Sequence, residues 1–133
     1  MINNLTHVVV VVLVHDQDEA LEFYTHKLGF VKRLDLTGAG FRWLEVAPSA
    51  ETSPAIVLTL ATTEDEKAHV GNQTGGGYSL LVVTTDDCQA AYETLKAKGV
   101  TVIGEPMDNP WGLAVQFKDL YGNQFELVQP KGW

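Results

Sequence analysis

Asp16-Gln17-Asp18-Glu19-Ala20-Leu21-Glu22-Phe23-Tyr24-Thr25-His26-Lys27-Leu28-Gly29-Phe30 decides the fold of this chain, because its pattern returns. The second version is Asp86-Asp87-Cys88-Gln89-Ala90-Ala91-Tyr92-Glu93-Thr94-Leu95-Lys96-Ala97-Lys98-Gly99-Val100. In the first copy, Asp16 and Glu19 form a capping box, with acids in the first turn where the helix dipole favours them. Ala20, Phe23, Tyr24 and Leu28 follow at helical spacing, and Gly29 ends the helix as a left-handed stop. In the second copy Asp86 is read as the cap, Gln89 as the capping-box partner and Gly99 as the stop.

Working outward, each helix lies between strands. Val8–Val14 is β-branched without polar alternation and reads as a strand buried on both faces. Residues 30–37 read as the return strand, Gly38-Ala39-Gly40 as a turn, and residues 41–46 as a cleanly alternating strand. Pro48 to Pro54 is a polar loop, and residues 55–61 form a fourth strand. Residues 62–77 break the pattern with an acidic stretch suited to a short helical turn, then a glycine-rich loop. The pattern then restarts with strands over 78–84 and 100–103, a loop over 105–112, and strands over 113–118 and 124–129. Asp119 to Asn123 is a turn by composition.

The expectation is therefore one α+β domain over residues 1–133, built from two βαβββ modules forming a curved mixed sheet around a cleft. Module 1 is placed at about 5–62, a linker at about 63–77 and module 2 at about 78–130. Neither module alone has much core, so the two are expected to share one and to leave a cleft between them.

Composition narrows the partners. A chain of 133 residues with 45% hydrophobic content is one domain's worth, and no run of about twenty apolar residues suits a membrane helix. The first seven residues lack the basic region of a signal peptide, and the lone Cys88 excludes an internal disulfide. A cytoplasmic location is expected. The net charge of −8 and the scattering of nine Lys and Arg argue against a nucleic-acid backbone as partner.

The strand followed by Asp16-x-x-x-Ala20-x-x-Phe23-Tyr24-x-x-x-Leu28-Gly29-Phe30, with the closing Asp119-x-x-Gly122-Asn123-x-x-Glu126-Leu127, resembles the vicinal oxygen chelate superfamily. That group contains glyoxalase I, extradiol dioxygenases, fosfomycin-resistance transferases and bleomycin-resistance binding proteins. The resemblance covers essentially the whole chain. It implies a divalent metal (zinc, nickel, manganese or iron) held by four strand residues, and a homodimer. Glu126 matches the last-strand ligand. The first-strand position falls on Val9, with His7 two residues earlier on the same face. The matching place in the second module is Ser79 or Leu80, and residues 55–61 hold no Asp, Glu or His. One clear ligand and one substitute fall short of the three or more that a transition-metal site needs.

The candidate site residues follow. Glu126 is the candidate catalytic group, or a ligand contact; the plainer alternative is a pair with Arg42 or a backbone amide. His7 is either a metal ligand with Glu126 or a hydrogen-bonded surface histidine. Trp111, between Pro110 and Gly112, is the preferred ligand contact, with Phe41, Trp43 and Tyr78 as further aromatic walls. Trp133 is read as packing on a neighbour, and Cys88 as a buried small residue. The leading function is metal-independent binding of a small organic molecule in the cleft, with a planar cation suited to acidic, aromatic surroundings. The alternative is a metal-dependent lyase, isomerase or dioxygenase using Glu126 and His7. A third reading is a scaffold with a closed cleft.

Overall fold

The computed structural model describes residues 3–52 and 54–133. Ser53, within the loop read from Pro48 to Pro54, and the first two residues of the leader reading lie outside them. The chain divides into two compact units, one ending at Lys67 and the other running from Ala68 to Trp133. Each carries one four-stranded mixed sheet in βαβββ order.

In the first unit, β1 (Val9–Val14), α1 (Gln17–Glu22), β2 (Val31–Gly38), β3 (Phe41–Ala47) and β4 (Ala55–Leu60) form a sheet of order β1-β4-β3-β2. β1 runs parallel to β4, and the other pairs are antiparallel. The Asp16 side chain caps α1 by accepting from the Glu19 amide at 2.9 Å. The helix then widens into a π-helical turn over Phe23–Lys27 and stops at Gly29, whose φ is 76°. Buried Ala20, Tyr24 and Phe30 accompany Val12, Val14, Leu44, Val46 and Leu58 in this unit's core. Arg42 clamps Asp35 with two parallel bonds of 2.9 Å and reaches Asp18 at 2.7 Å, joining the β2–β3 hairpin to the first turn of α1. The Arg42 guanidinium holds the Asp35 carboxyl below its ordinary range.

α2 (Glu64–His69) follows β4. In the second unit, β5 (Leu81–Thr84), α3 (Cys88–Ala97), β6 (Val102–Asn109), β7 (Gly112–Lys118) and β8 (Gln124–Pro130) form a sheet of order β5-β8-β7-β6. β5 is parallel to β8, repeating the β1–β4 arrangement. Buried Cys88, Tyr92 and Leu95 of α3 pack with Val115, Phe117, Phe125 and Leu127. Burial raises the Cys88 thiol pKa, with the Asp87 charge adding to it, so this thiol is a core group rather than a nucleophile.

Four local readings are corrected. Asp87, not Asp86, caps α3, accepting from the Ala90 amide at 3.0 Å, while Gln89 donates to Glu93 rather than completing a capping box. The segment read as a loop from residue 105 is strand through Asn109. Between Ile103 and Met107 the register with β7 shifts, and Gly104 adopts φ 73°. Pro106 is tolerated because β6 is an edge strand at an irregularity. β1 is not buried on both faces: Val12 and Val14 are buried but Val11, on the opposite face by strand parity, is half exposed. β5 begins at Leu81, leaving Tyr78 outside it and exposed.

The glycine-rich segment before β5 has one tight point of its own. Gly71 sits at φ 77°, and a Cβ there would lie 1.9 Å from the Tyr121 carbonyl oxygen, so this segment and the β7–β8 turn meet backbone to backbone. Gly71→Ala is therefore expected to destabilise the chain by about 2–4 kcal/mol, combining left-handed strain with a clash against main chain. Gly75→Ala, at φ 76° with open space around it, should cost only about 1 kcal/mol. Urea unfolding of the two variants side by side checks the difference.

Candidate functional site

Side chains alternate across a strand, so one face of the second sheet carries Phe125 and Leu127 toward the core with α3, and the other carries Glu126. The pairing registers place Val82, Glu126, Gln116 and Ile103 in one row across β5, β8, β7 and β6. The next row holds Thr84, Val128, Ala114 and Met107. Where β6 and β7 meet, these rows border a depression of about 240 Å³ lined by Glu126, Glu105, Gln116, Met107, Ile103 and Trp111, among others. Glu126 and Trp111, singled out from the sequence, thus share one small site. Met107 and Trp111 are 67% and 51% exposed, so an apolar wall stands open to solvent.

The depression is acidic. Its lining includes two carboxylates, Glu105 and Glu126, and no Lys, Arg or His, and the charge of Lys96 on α3 acts on Glu105 from outside it. Arg42, considered as a partner of Glu126, is instead committed to Asp35 and Asp18. No ion pair or side-chain hydrogen bond holds the Glu126 carboxylate among the described residues. Glu105, Gln116 and Met107 were missed in the sequence because residues from 105 onward read as loop, and because Gln116 gains meaning only as the cross-strand neighbour of Glu126.

The other candidates lie elsewhere. Tyr78 does not line this depression. His7, Phe41 and Trp43 belong to the first unit, where a different carboxylate organises two of them. Glu45 is only 3% exposed and accepts from the Trp43 indole Nε1 at 3.2 Å. Its other oxygen lies 3.3 Å from His7 Nε2 and 3.7 Å from Arg33 Nε. His7 is therefore part of a hydrogen-bonded cluster with Glu45. The clue available from sequence was an acid two residues after Trp43 in an otherwise apolar stretch, on the Trp43 face by strand parity. Phe41 remains half exposed at the start of β3.

Of the strand residues through which the resemblance implies a divalent metal, the second sheet presents Glu126. Cross-strand from Glu126 stand Val82 and Gln116, and among the described residues no group of three or more His, Cys, Asp or Glu side chains is gathered. A transition-metal centre needs about three protein ligands of that kind.

Comparison with known proteins agrees with this architecture. The family described as Glyoxalase/Bleomycin resistance protein/Dioxygenase superfamily matches residues 4–127. The chain belongs to that superfamily. It is 35% identical to YurT of Bacillus subtilis (strain 168), over 92% of this chain and 97% of YurT. Among solved structures, a member of the same superfamily from Sphaerobacter thermophilus DSM 20745 superposes with a TM-score of 0.81 at 33% identity, covering 96% of this chain and 99% of that one. TnmS3, described as an antibiotic binding protein from Streptomyces sp. CB03234, gives 0.80 at 31% identity, covering 98% of this chain and all of that one.

Proposed function

We propose that this protein binds a planar, cationic small organic molecule over the Glu126–Trp111 depression, using no resident metal. The observation that carries this reading is the Glu126 carboxylate, held by no ion pair or side-chain hydrogen bond among the described residues, beside an open Trp111–Met107 wall. An aromatic face attracts a cation, and a polarisable methionine adapts to a flat ring. The depression is smaller than the roughly 300 Å³ at which drug-sized sites begin, so it would seat one charged ring of a larger ligand. The likeness to TnmS3, an antibiotic binding protein, supports a binder, and sequestration of a toxic molecule requires no catalytic residue. A cytoplasmic, homodimeric protein is part of the same reading.

Titration with bleomycin and with the planar cation berberine, read by tryptophan fluorescence, tests it. Binding is expected, weakened about tenfold or more by Glu126→Gln and by Trp111→Ala, which is a loss of about 1.4 kcal/mol each. Raising the salt concentration should weaken it as well. No response to either cation would end the proposal. The competing reading, a metal-dependent lyase, isomerase or dioxygenase, predicts about one tightly bound transition metal per chain in untagged protein, lost in Glu126→Ala. Elemental analysis giving that result would replace the binding reading.

A further inference from the structure

A second depression in the same unit, of about 560 Å³, is lined by Thr84, Thr85, Asp86, Gln129, Pro130 and Trp133. It lies where β5 and β8 end, and none of its lining residues borders the Glu126 depression. Its chemistry is different too: hydroxyls, an amide and one carboxylate beside an aromatic ring, instead of two acids beside an apolar wall.

The polar groups here are oriented and in part uncommitted. The Cys88 amide donates to Gln129 Oε1 at 2.9 Å. A backbone N–H can only donate, so this bond fixes which end of the Gln129 amide faces the helix and leaves Nε2 as a donor with no partner among the described residues. Thr85 Oγ1 accepts from the Asp87 amide at 3.2 Å and keeps its own proton to donate. The Thr84 hydroxyl and the Asp86 carboxylate carry no side-chain partner among the described residues. The lining therefore offers donors and acceptors in mixture, with one charged side chain, Asp86.

Trp133 completes the arrangement. It is 68% exposed, yet its indole Nε1 donates to the Trp111 carbonyl at 2.9 Å, and the Lys131 amide donates to that same oxygen at 3.0 Å. The sequence reading of Trp133 as packing on a neighbour or a subunit partner is not tested by this bond, which ties only its indole N–H to its own chain. An exposed indole with its polar edge already satisfied offers a ring face for stacking against C–H groups at little ordering cost.

We propose that this depression is a saccharide subsite, in which a neutral glycosyl ring stacks on Trp133 while its hydroxyls pair with Asp86, Thr84, Thr85 and Gln129. A sugar ring presents an apolar C–H face and a rim of hydroxyls that both donate and accept, which is the complement of what the lining supplies. The site shares no lining residue with the Glu126 depression and meets it only at the bond from Trp133 to the Trp111 carbonyl.

The test follows the Trp133 indole N–H resonance of the full chain while methyl β-D-glucopyranoside or methyl α-D-mannopyranoside is added to about 50 mM, a range suited to millimolar affinity. Ethylene glycol at equal hydroxyl concentration serves as control. Saturable shifts at Trp133 with a glycoside but not with ethylene glycol, weakened at least about threefold in Asp86→Asn, are expected for a site that takes free sugar, and the accompanying shifts of the Gln129 side-chain amide should be lost in Trp133→Ala. Both replaced residues are at the surface of the depression, and an unchanged spectrum elsewhere certifies folding. A second arm compares 4-methylumbelliferyl β-D-glucopyranoside with its aglycone. Tighter binding of the glucoside that depends on Trp133, without a response to the methyl glycosides, assigns the site to the glycosyl part of a conjugate. Absence of any Trp133-dependent preference in both arms overturns the proposal, whatever berberine does at Glu126.

Discussion

Asp119→Ala is expected to lower the unfolding free energy by about 3 kcal/mol. Asp119 is 6% exposed and lies in the β7–β8 turn. One of its oxygens accepts the amides of Tyr121 and Asn123 at 3.0 and 2.8 Å, and the other accepts Asn123 Nδ2 at 2.9 Å. Asn123 is itself only 3% exposed, so removing the carboxylate strands buried donors. Each such donor costs about 1–3 kcal/mol when left unmet, and partial rehydration keeps the sum below simple addition. Asp119→Asn should fall between, because its carbonyl oxygen still accepts the two amides while its NH₂ opposes that of Asn123. Urea or thermal unfolding orders the three proteins. Equal stability of Asp119→Ala and the parent would show that the turn is held by its backbone bonds alone.

The second large effect is expected at Glu45. Glu45→Ala removes the acceptor of the Trp43 indole and the counter-charge of Arg33, and releases His7, for a loss of about 2–4 kcal/mol. Partial exposure of Arg33 and His7 moderates the cost, since both can turn to water. Glu45→Gln retains an acceptor for Trp43 and should cost less. The Trp43 fluorescence should shift in Glu45→Ala, because the indole loses its fixed hydrogen bond. A Glu45→Ala protein as stable as the parent would mean that the cluster only decorates the sheet. His7→Gln, at the exposed end of the cluster, should change stability by less than about 1 kcal/mol.

These two acids show why some of the chain's interactions were legible in its sequence and others were not. Asp119 belongs to the closing Asp-x-x-Gly-Asn pattern, and its work is local: every bond cited for it reaches a residue within four positions. The same holds for Asp16, whose carboxylate meets the amide three residues on, and for Gly29, whose left-handed backbone ends the helix. Much of the family signature therefore encodes turns and caps, which explains why it identifies the fold so well and constrains the chemistry so little. Glu45 works over long range, reaching back 38 residues to His7, and nothing in its neighbourhood along the chain announces that partner.

By itself, then, the sequence determined the duplicated βαβββ order, the helix starts and stops within a residue, and two residues, Glu126 and Trp111, that border one depression of the second unit. Short-range rules suffice for these, because capping, glycine conformation and strand alternation act within a few residues. Tertiary structure decided what surrounds them. Strand register set Gln116 and Val82 beside Glu126. An irregularity in an edge strand carried Glu105 and Met107 into the same depression, and the tail bond from Trp133 to Trp111 fixed the second one. Cross-strand neighbours are chosen by the pairing of distant segments, and a one-residue change of register would have turned a different set of side chains to that face.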